Sequence, residues 1–271
     1  MSATPESTTS NDAPVLTELK AGVFYITLNR PEFGNAVNEA LVVGFHEAVC
    51  RAESDDAVRV LVLRSSGKHF CVGADTKGMA GVSGRAERRY STEELLTLGG
   101  EAVMRLHHLQ KPSISALRGA AAGGGLALAL ATDVRLADPS AKLVLAYTNI
   151  ALSGDFACAW LLNKWLGPLK AREFCLISPT MSVEQARDVG LVNAIHNESD
   201  LEGAVQHLAE GLAAGPVKAI GRLKQNLLAS ESLTPEAYIQ QEANNFIACR
   251  DSDEHREALL AFVEKRKPVF R

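Results

Sequence analysis

The sequence has no excess of basic charge. Its 28 lysines and arginines face 32 aspartates and glutamates, a formal net charge of −4 over 271 residues. That balance argues against a nucleic-acid partner, whose phosphates call for a basic face. Cysteine is sparse and unpatterned: Cys50, Cys71, Cys158, Cys175 and Cys249 form no C-x-x-C and no metal-ligand spacing. Three of them lie in apolar stretches, the pattern of reduced core thiols in a cytoplasmic protein. The seven histidines make no H-x-x-x-H pair. His107 and His108 are neighbours on a predicted helix, where adjacent side chains point about 100° apart. No metal is expected.

An unbroken apolar run is also missing. The best is "LVLAYTNIALSGDFACAWLL", residues 143–162, long enough to span a bilayer. Tyr147, Thr148, Asn149, Ser153 and Gly154 interrupt its middle, so it reads as a strand over about 142–146, a loop, and a helix from about 156. "MSATPESTTSNDAP" has neither the basic start nor the apolar core of a signal peptide. Residues 1–12 read as a solvated, disordered tail. A soluble chain without a membrane partner is expected. No repeat with a period of roughly 20–50 residues is present. With 46% hydrophobic residues, the chain can bury a large core.

What is there alternates strands and helices. Val15–Leu19 and Val23–Leu28 read as strands. "VNEALVVGFHEAVCRAES" puts Leu41, Phe45, Ala48, Val49 and Ala52 on one helical face behind Asn38 as its cap. "VRVLVLRS" (58–65) is apolar on both faces, as a buried parallel strand is. A helix is predicted over about 92–109, a strand over Ile114–Leu117, and a helix in "LALALAT". Strands follow near 133–137 and 142–146, with a short one near Leu191–Ile195. Beyond it lie four amphipathic helical patterns. The expectation is an α/β core over 13–205 and a helical extension over 206–271.

Two loops carry candidate chemistry. "GAAAGGGLALALATD" (119–133) runs from strand through bare backbone into a helix start, where N–H groups can approach an anionic ligand. Asp138 lies where a ribose ligand would be sought, yet glycines at 119, 123, 124 and 125 fail G-x-G-x-x-G. No Lys-Ser/Thr follows for a phosphate loop. "FCVGADTKGM" (70–79) has the same ingredients, with Asp75 placed to cap a helix. Taken singly, each loop fits a ligand cradle or plain close packing. Together, a free backbone N–H from each makes a two-donor oxyanion hole.

These segments, with "LNRPEFGNAVN" and the terminal "AFVEKRKPVF", resemble the enoyl-CoA hydratase/isomerase (crotonase) superfamily from about residue 13 onward. The resemblance implies a spiral of ββα units with C-terminal helices that mediate trimers, often dimers of trimers. It implies an acyl-CoA thioester as substrate, with coenzyme A as part of that substrate and no separate cofactor. The paired donors map onto Ala74 and Gly124, and the CoA-facing positions onto Asp75, Thr76 and Lys77. Phe262 and Lys265 resemble the C-terminal pair that reaches CoA, often across a subunit boundary. Arg85, Arg88 and Arg89 in "SGRAERRYS" could reach the CoA phosphates or form a solvated charged face.

The chain departs from the hydratase pattern. The two glutamates that activate water there are replaced by Ala127 and Tyr147. Alanine cannot orient water, and a phenol is a poor base at neutral pH. Asp155, the one formal charge of 143–162, is where isomerases of the phenylacetate-pathway type carry a proton shuttle and 4-chlorobenzoyl-CoA dehalogenases a nucleophile. Locally it also reads as the cap of the helix that follows. The expected activity is an isomerase that shifts a double bond through an enolate, with Asp155 as acid/base. Tyr147 joins the candidate catalytic group, a pocket wall being its plainer role. A dehalogenase, a decarboxylase, a hydratase-like lyase and a non-catalytic acyl-CoA binder remain alternatives. The dehalogenase expects a histidine near Leu98–Gly100, where none stands.

Overall fold

The structure is a computed structural model that describes residues 12–79, 89–145, 147–177 and 179–270. Its N-terminal half winds β1 (Val15–Lys20), β2 (Val23–Leu28), α1 (Glu39–Ser54), β3 (Val60–Ser65), α2 (Thr76–Met79), α3 (Thr92–His108) and β4 (Ser113–Leu117). Next come β5 (Ala120–Ala122), α4 (Gly124–Leu130), β6 (Val134–Ala137), β7 (Lys142–Val144), α5 (Cys158–Ile177), β8 (Thr180–Ser182), α6 (Val183–Asp188) and β9 (Ala194–Ile195). Four helices end the chain: α7 (Leu201–Ala213), α8 (Val217–Ala229), α9 (Pro235–Arg250) and α10 (Asp253–Glu264).

Six strands form one sheet in the order β1-β2-β3-β4-β6-β9, with only the β1–β2 pair antiparallel. A second sheet, β5-β7-β8, stands beside it. The large sheet is buried on both faces, which is why β3 carries no polar alternation. Phe24, Ile26, Leu61 and Leu63 face Leu41, Phe45 and Val49 of α1 and Leu106 of α3. Val23, Tyr25, Val60 and Val62 face Leu201, Val205 and Ala209 of α7. Among the described residues no helix is long and apolar enough to cross a membrane.

The helix over 39–54 forms as its periodicity dictates, and Asn38 accepts the Leu41 N–H at 3.0 Å. Three expectations need correction. The helix expected from about 156 begins at Cys158, because Phe156 and Ala157 are left-handed (φ +48° and +57°). The strand expected near Leu191–Ile195 shrinks to Ala194–Ile195. The bare-backbone stretch "GAAAGGG" contains β5, and the helix expected in "LALALAT" starts earlier, at Gly124.

One buried amide fastens the approach to the site. Asn35 is fully buried and left-handed at φ +57°. Its side chain accepts the Arg30 N–H at 2.7 Å and donates to the carbonyls of Ser66 (2.9 Å) and His69 (2.7 Å). Asn35→Gly keeps the backbone geometry and leaves those three groups unpaired. Chemical denaturation of this variant should show a loss of about 2–4 kcal/mol.

Candidate active site

Two loops are tied edge to edge by main-chain bonds. The Cys71 N–H donates to Ala120 O at 3.0 Å, and the Ala122 N–H to Cys71 O at 2.9 Å. Beyond this bridge Gly73 adopts φ +87°, and a methyl group there would lie 2.9 Å from the Ala122 carbonyl. Only glycine permits that contact. Val37 then brackets Ala74: its N–H donates to Gly73 O (2.7 Å) and its carbonyl accepts from Asp75 (3.1 Å). This pairing uses the groups on either side of Ala74, and the Ala74 N–H has no partner among the described residues.

In the other loop Gly123 donates to Val144 O at 2.9 Å and turns the chain with φ +51°. Gly124 is the first residue of α4. Its N–H, like every first-turn N–H of a helix, has no intrahelical acceptor, and it finds no other among the described residues.

Asp155 reaches this group from the segment after β7. It lies between Gly154 (φ +125°) and the left-handed Phe156 and Ala157. Each left-handed non-glycine residue costs on the order of 1–2 kcal/mol, so packing must hold this turn in place. Phe156 does much of that. Its ring is 7% exposed and lies against Gly99 of α3 and Gly124 of α4. A methyl at Gly99 would run into it, and one at Gly124 would lie 2.9 Å from it. The same methyl would lie 3.2 Å from Asp155 Oδ1, which puts the carboxylate beside the first residue of α4.

The carboxylate does not cap α5. The main-chain carbonyl of Asp155 takes the Cys158 N–H at 3.0 Å, whereas Oδ1 accepts the Tyr147 hydroxyl. Burial raises the Asp155 pKa above its ordinary value, and the Tyr147 hydrogen bond opposes that rise. Burial, with Cys158 and Asp155 nearby, pushes the Tyr147 phenol up, so it stays protonated.

The other expected site residues are scattered. Asp75 accepts the Gly78 N–H at 3.0 Å and pairs with Arg30 at 3.4 Å, so it does cap α2. Thr76 and Lys77 occupy that same turn. Phe262 is 84% exposed on α10, and Lys265 is the exposed residue that ends it. Arg85 and Arg88 lie outside the described residues, and Arg89 rests on Tyr90, 5.4 Å from its ring centroid. Ala127 is buried in α4. His107 is buried between Trp160 and Trp165, with its pKa pushed down to about 3 chiefly by that burial. Phe156, Gly99 and Cys158 escaped the sequence reading. The adjacent glycines inside the helix 92–108 were the available signal, since glycine there is costly without a packing reason.

The sequence model of the family described as Enoyl-CoA hydratase/isomerase matches residues 18–271. A 1,2-epoxyphenylacetyl-CoA isomerase of Escherichia coli (strain K12) is 32% identical over 94% of this chain and 97% of its own length. A 4-chlorobenzoyl coenzyme A dehalogenase-2 of Arthrobacter is 31% identical over 94% and 92%. The crystal structure of an enoyl-CoA hydratase from Bacillus anthracis superposes with a TM-score of 0.87 at 26% identity, over 95% of this chain and 98% of that one. The chain belongs to the enoyl-CoA hydratase/isomerase family and has the crotonase fold.

The raised pKa of Asp155 has a consequence for stability. A carboxyl whose folded pKa exceeds its unfolded value stabilises the fold below the unfolded pKa, and that contribution is lost as pH rises through the folded one. Asp155→Asn keeps an acceptor for Tyr147 and removes the buried charge. At pH 7 its melting temperature should equal or exceed that of the wild type, with the difference gone below about pH 4. A lower melting temperature at pH 7 would contradict the burial account.

Proposed function

We propose that the protein is an enoyl-CoA isomerase that moves a double bond within an acyl-CoA thioester. The observation that supports this most is a half-buried carboxylate of raised pKa beside the first residue of α4, next to a loop pair with two N–H groups that have no partner among the described residues. In this reading the thioester oxygen sits between the Ala74 and Gly124 N–H groups. Asp155 removes a proton from Cα, the electrons pass to that oxygen as a dienolate, and the same carboxyl returns the proton at Cγ. The step balances, because the carboxyl takes up one proton and gives one back, with time on the carboxyl for the captured proton to exchange with solvent. A base that must give its proton back benefits from a pKa lifted by burial. Each N–H donor to the oxyanion contributes about 3–4 kcal/mol of barrier lowering.

Other chemistries fit less well. With Ala127 and Tyr147 at the glutamate positions, nothing there activates water for hydration. Halide displacement would need an imidazole opposite Asp155 to activate water, and the α3 position against Phe156 is Gly99. A non-catalytic acyl-CoA binder would show affinity without proton exchange. Deuterium exchange at Cα of a 3-enoyl-CoA in D2O separates the readings. Asp155→Asn should bind the thioester like the wild type and exchange 10²–10⁴ or more slower, on the order expected for a lost general base. Exchange at the wild-type rate would remove Asp155 from the chemistry.

The C-terminal helices carry the assembly part of the proposal. Leu223, Leu227, Ile239 and Phe246 of α8 and α9 are 60–68% exposed, more apolar surface than a monomer usually leaves uncovered. A trimer, or a dimer of trimers, would cover it and would bring Phe262 and Lys265 of one copy toward CoA bound by another. Sedimentation at micromolar concentration should give a trimer or hexamer, and a lone monomer would contradict this.

A further inference from the structure

Tyr147 occupies a slot between two glycines of positive φ. A methyl at Gly123, in the α4 loop, would lie 3.5 Å from its ring, and one at Gly154, next to Asp155, would lie 3.8 Å from it. The ring is 7% exposed. It therefore touches both halves of the site, the donor loop and the segment that carries the carboxylate. Its hydroxyl donates to Asp155 Oδ1. Asp155 and Cys158 both lie near the phenol. Asp155 Oδ2 has no hydrogen-bond partner among the described residues.

We propose that Tyr147 is a positioning residue: its hydroxyl occupies Oδ1 of Asp155, so that Oδ2 is the oxygen that exchanges a proton with the substrate. The proposal rests on Asp155 being the acid/base. It assigns Tyr147 neither proton transfer nor a merely steric wall. The phenol orients the carboxylate and stabilises its charged form, which keeps a buried base ionised at working pH. Burial alone would leave it protonated over a wider range.

The surroundings make this separable by pH. The titratable groups facing Asp155 are Tyr147, Cys158 at the start of α5, and Cys71 from the loop after β3. Burial pushes Cys71 up to about 12 and drives Cys158 upward as well. The α3 and α4 helices present Gly99 and Gly124 at this point. With the phenol and both thiols pushed upward, the carboxyl is the first of these groups to lose its proton as pH rises.

The test is the pH dependence of Cα deuterium exchange for wild type, Tyr147→Phe and Asp155→Asn. Phenylalanine keeps the ring between Gly123 and Gly154 and removes only the hydroxyl. The acid limb of Tyr147→Phe should move up by about one pH unit, with KM within about threefold of the wild type. Substituting 3-fluorotyrosine, a stronger donor that preserves the ring and the hydroxyl, should move the limb down. This second variant carries the test if the phenylalanine form proves poorly folded. Superimposable limbs for wild type and either variant, with Asp155→Asn inert, would overturn the positioning role while leaving Asp155 as the base. Wild-type exchange by Asp155→Asn would overturn both.

Discussion

The site depends on one backbone contact, the parallel bridge that Cys71 makes through its bonds to Ala120 and Ala122. It holds two loops from different strands at main-chain distance, and every later feature inherits its geometry. Gly73 can meet the Ala122 carbonyl only because it has no side chain, and Gly125 lies against the Cys71 side chain for the same reason. Once those loops touch, the Ala74 and Gly124 N–H groups belong to neighbouring backbones. Neither needs a side chain to do its work. A donor fixed by the fold costs nothing to reorganise when charge develops near it.

Against that rigid pair the chain sets a group it holds at a cost. Asp155 is drawn into an apolar wall, its pKa rises, and two successive residues take a left-handed backbone to present it. Phe156 anchors this turn by filling the hollow that Gly99 and Gly124 leave. Tyr147 anchors its other side. The strain and the desolvation coincide around one carboxylate, whereas the buried Lys224 amine is paired with Asp133 at 2.8 Å. Unfavourable terms gathered at a single place are a mark of function rather than of stability.

Much of this was legible in the sequence, for identifiable reasons. The α1 face and β3 are written in local periodicity, so Leu41, Phe45 and Val49 fell where expected. The glycine loops were legible because missing side chains are themselves a signal. By contrast β5 is three alanines, poor strand formers, and it exists because Cys71 and β7 pair with it. The delayed start of α5 is set by packing around Phe156, which no local rule encodes. Gly99 has its meaning only through a residue 57 positions away. Asp155 was conspicuous as a charge in an apolar run, but its partner Tyr147 read as a pocket wall until the hydroxyl was seen to face Oδ1.

The central claim is that two main-chain N–H groups, from Ala74 and Gly124, polarise a thioester carbonyl beside Asp155. Infrared difference spectroscopy of a ¹³C-labelled acyl-CoA thioester bound to the Asp155→Asn protein reads that bond directly, with turnover blocked. The account predicts a carbonyl stretch shifted well below its value in water. A bound thioester whose carbonyl keeps its aqueous frequency would contradict it.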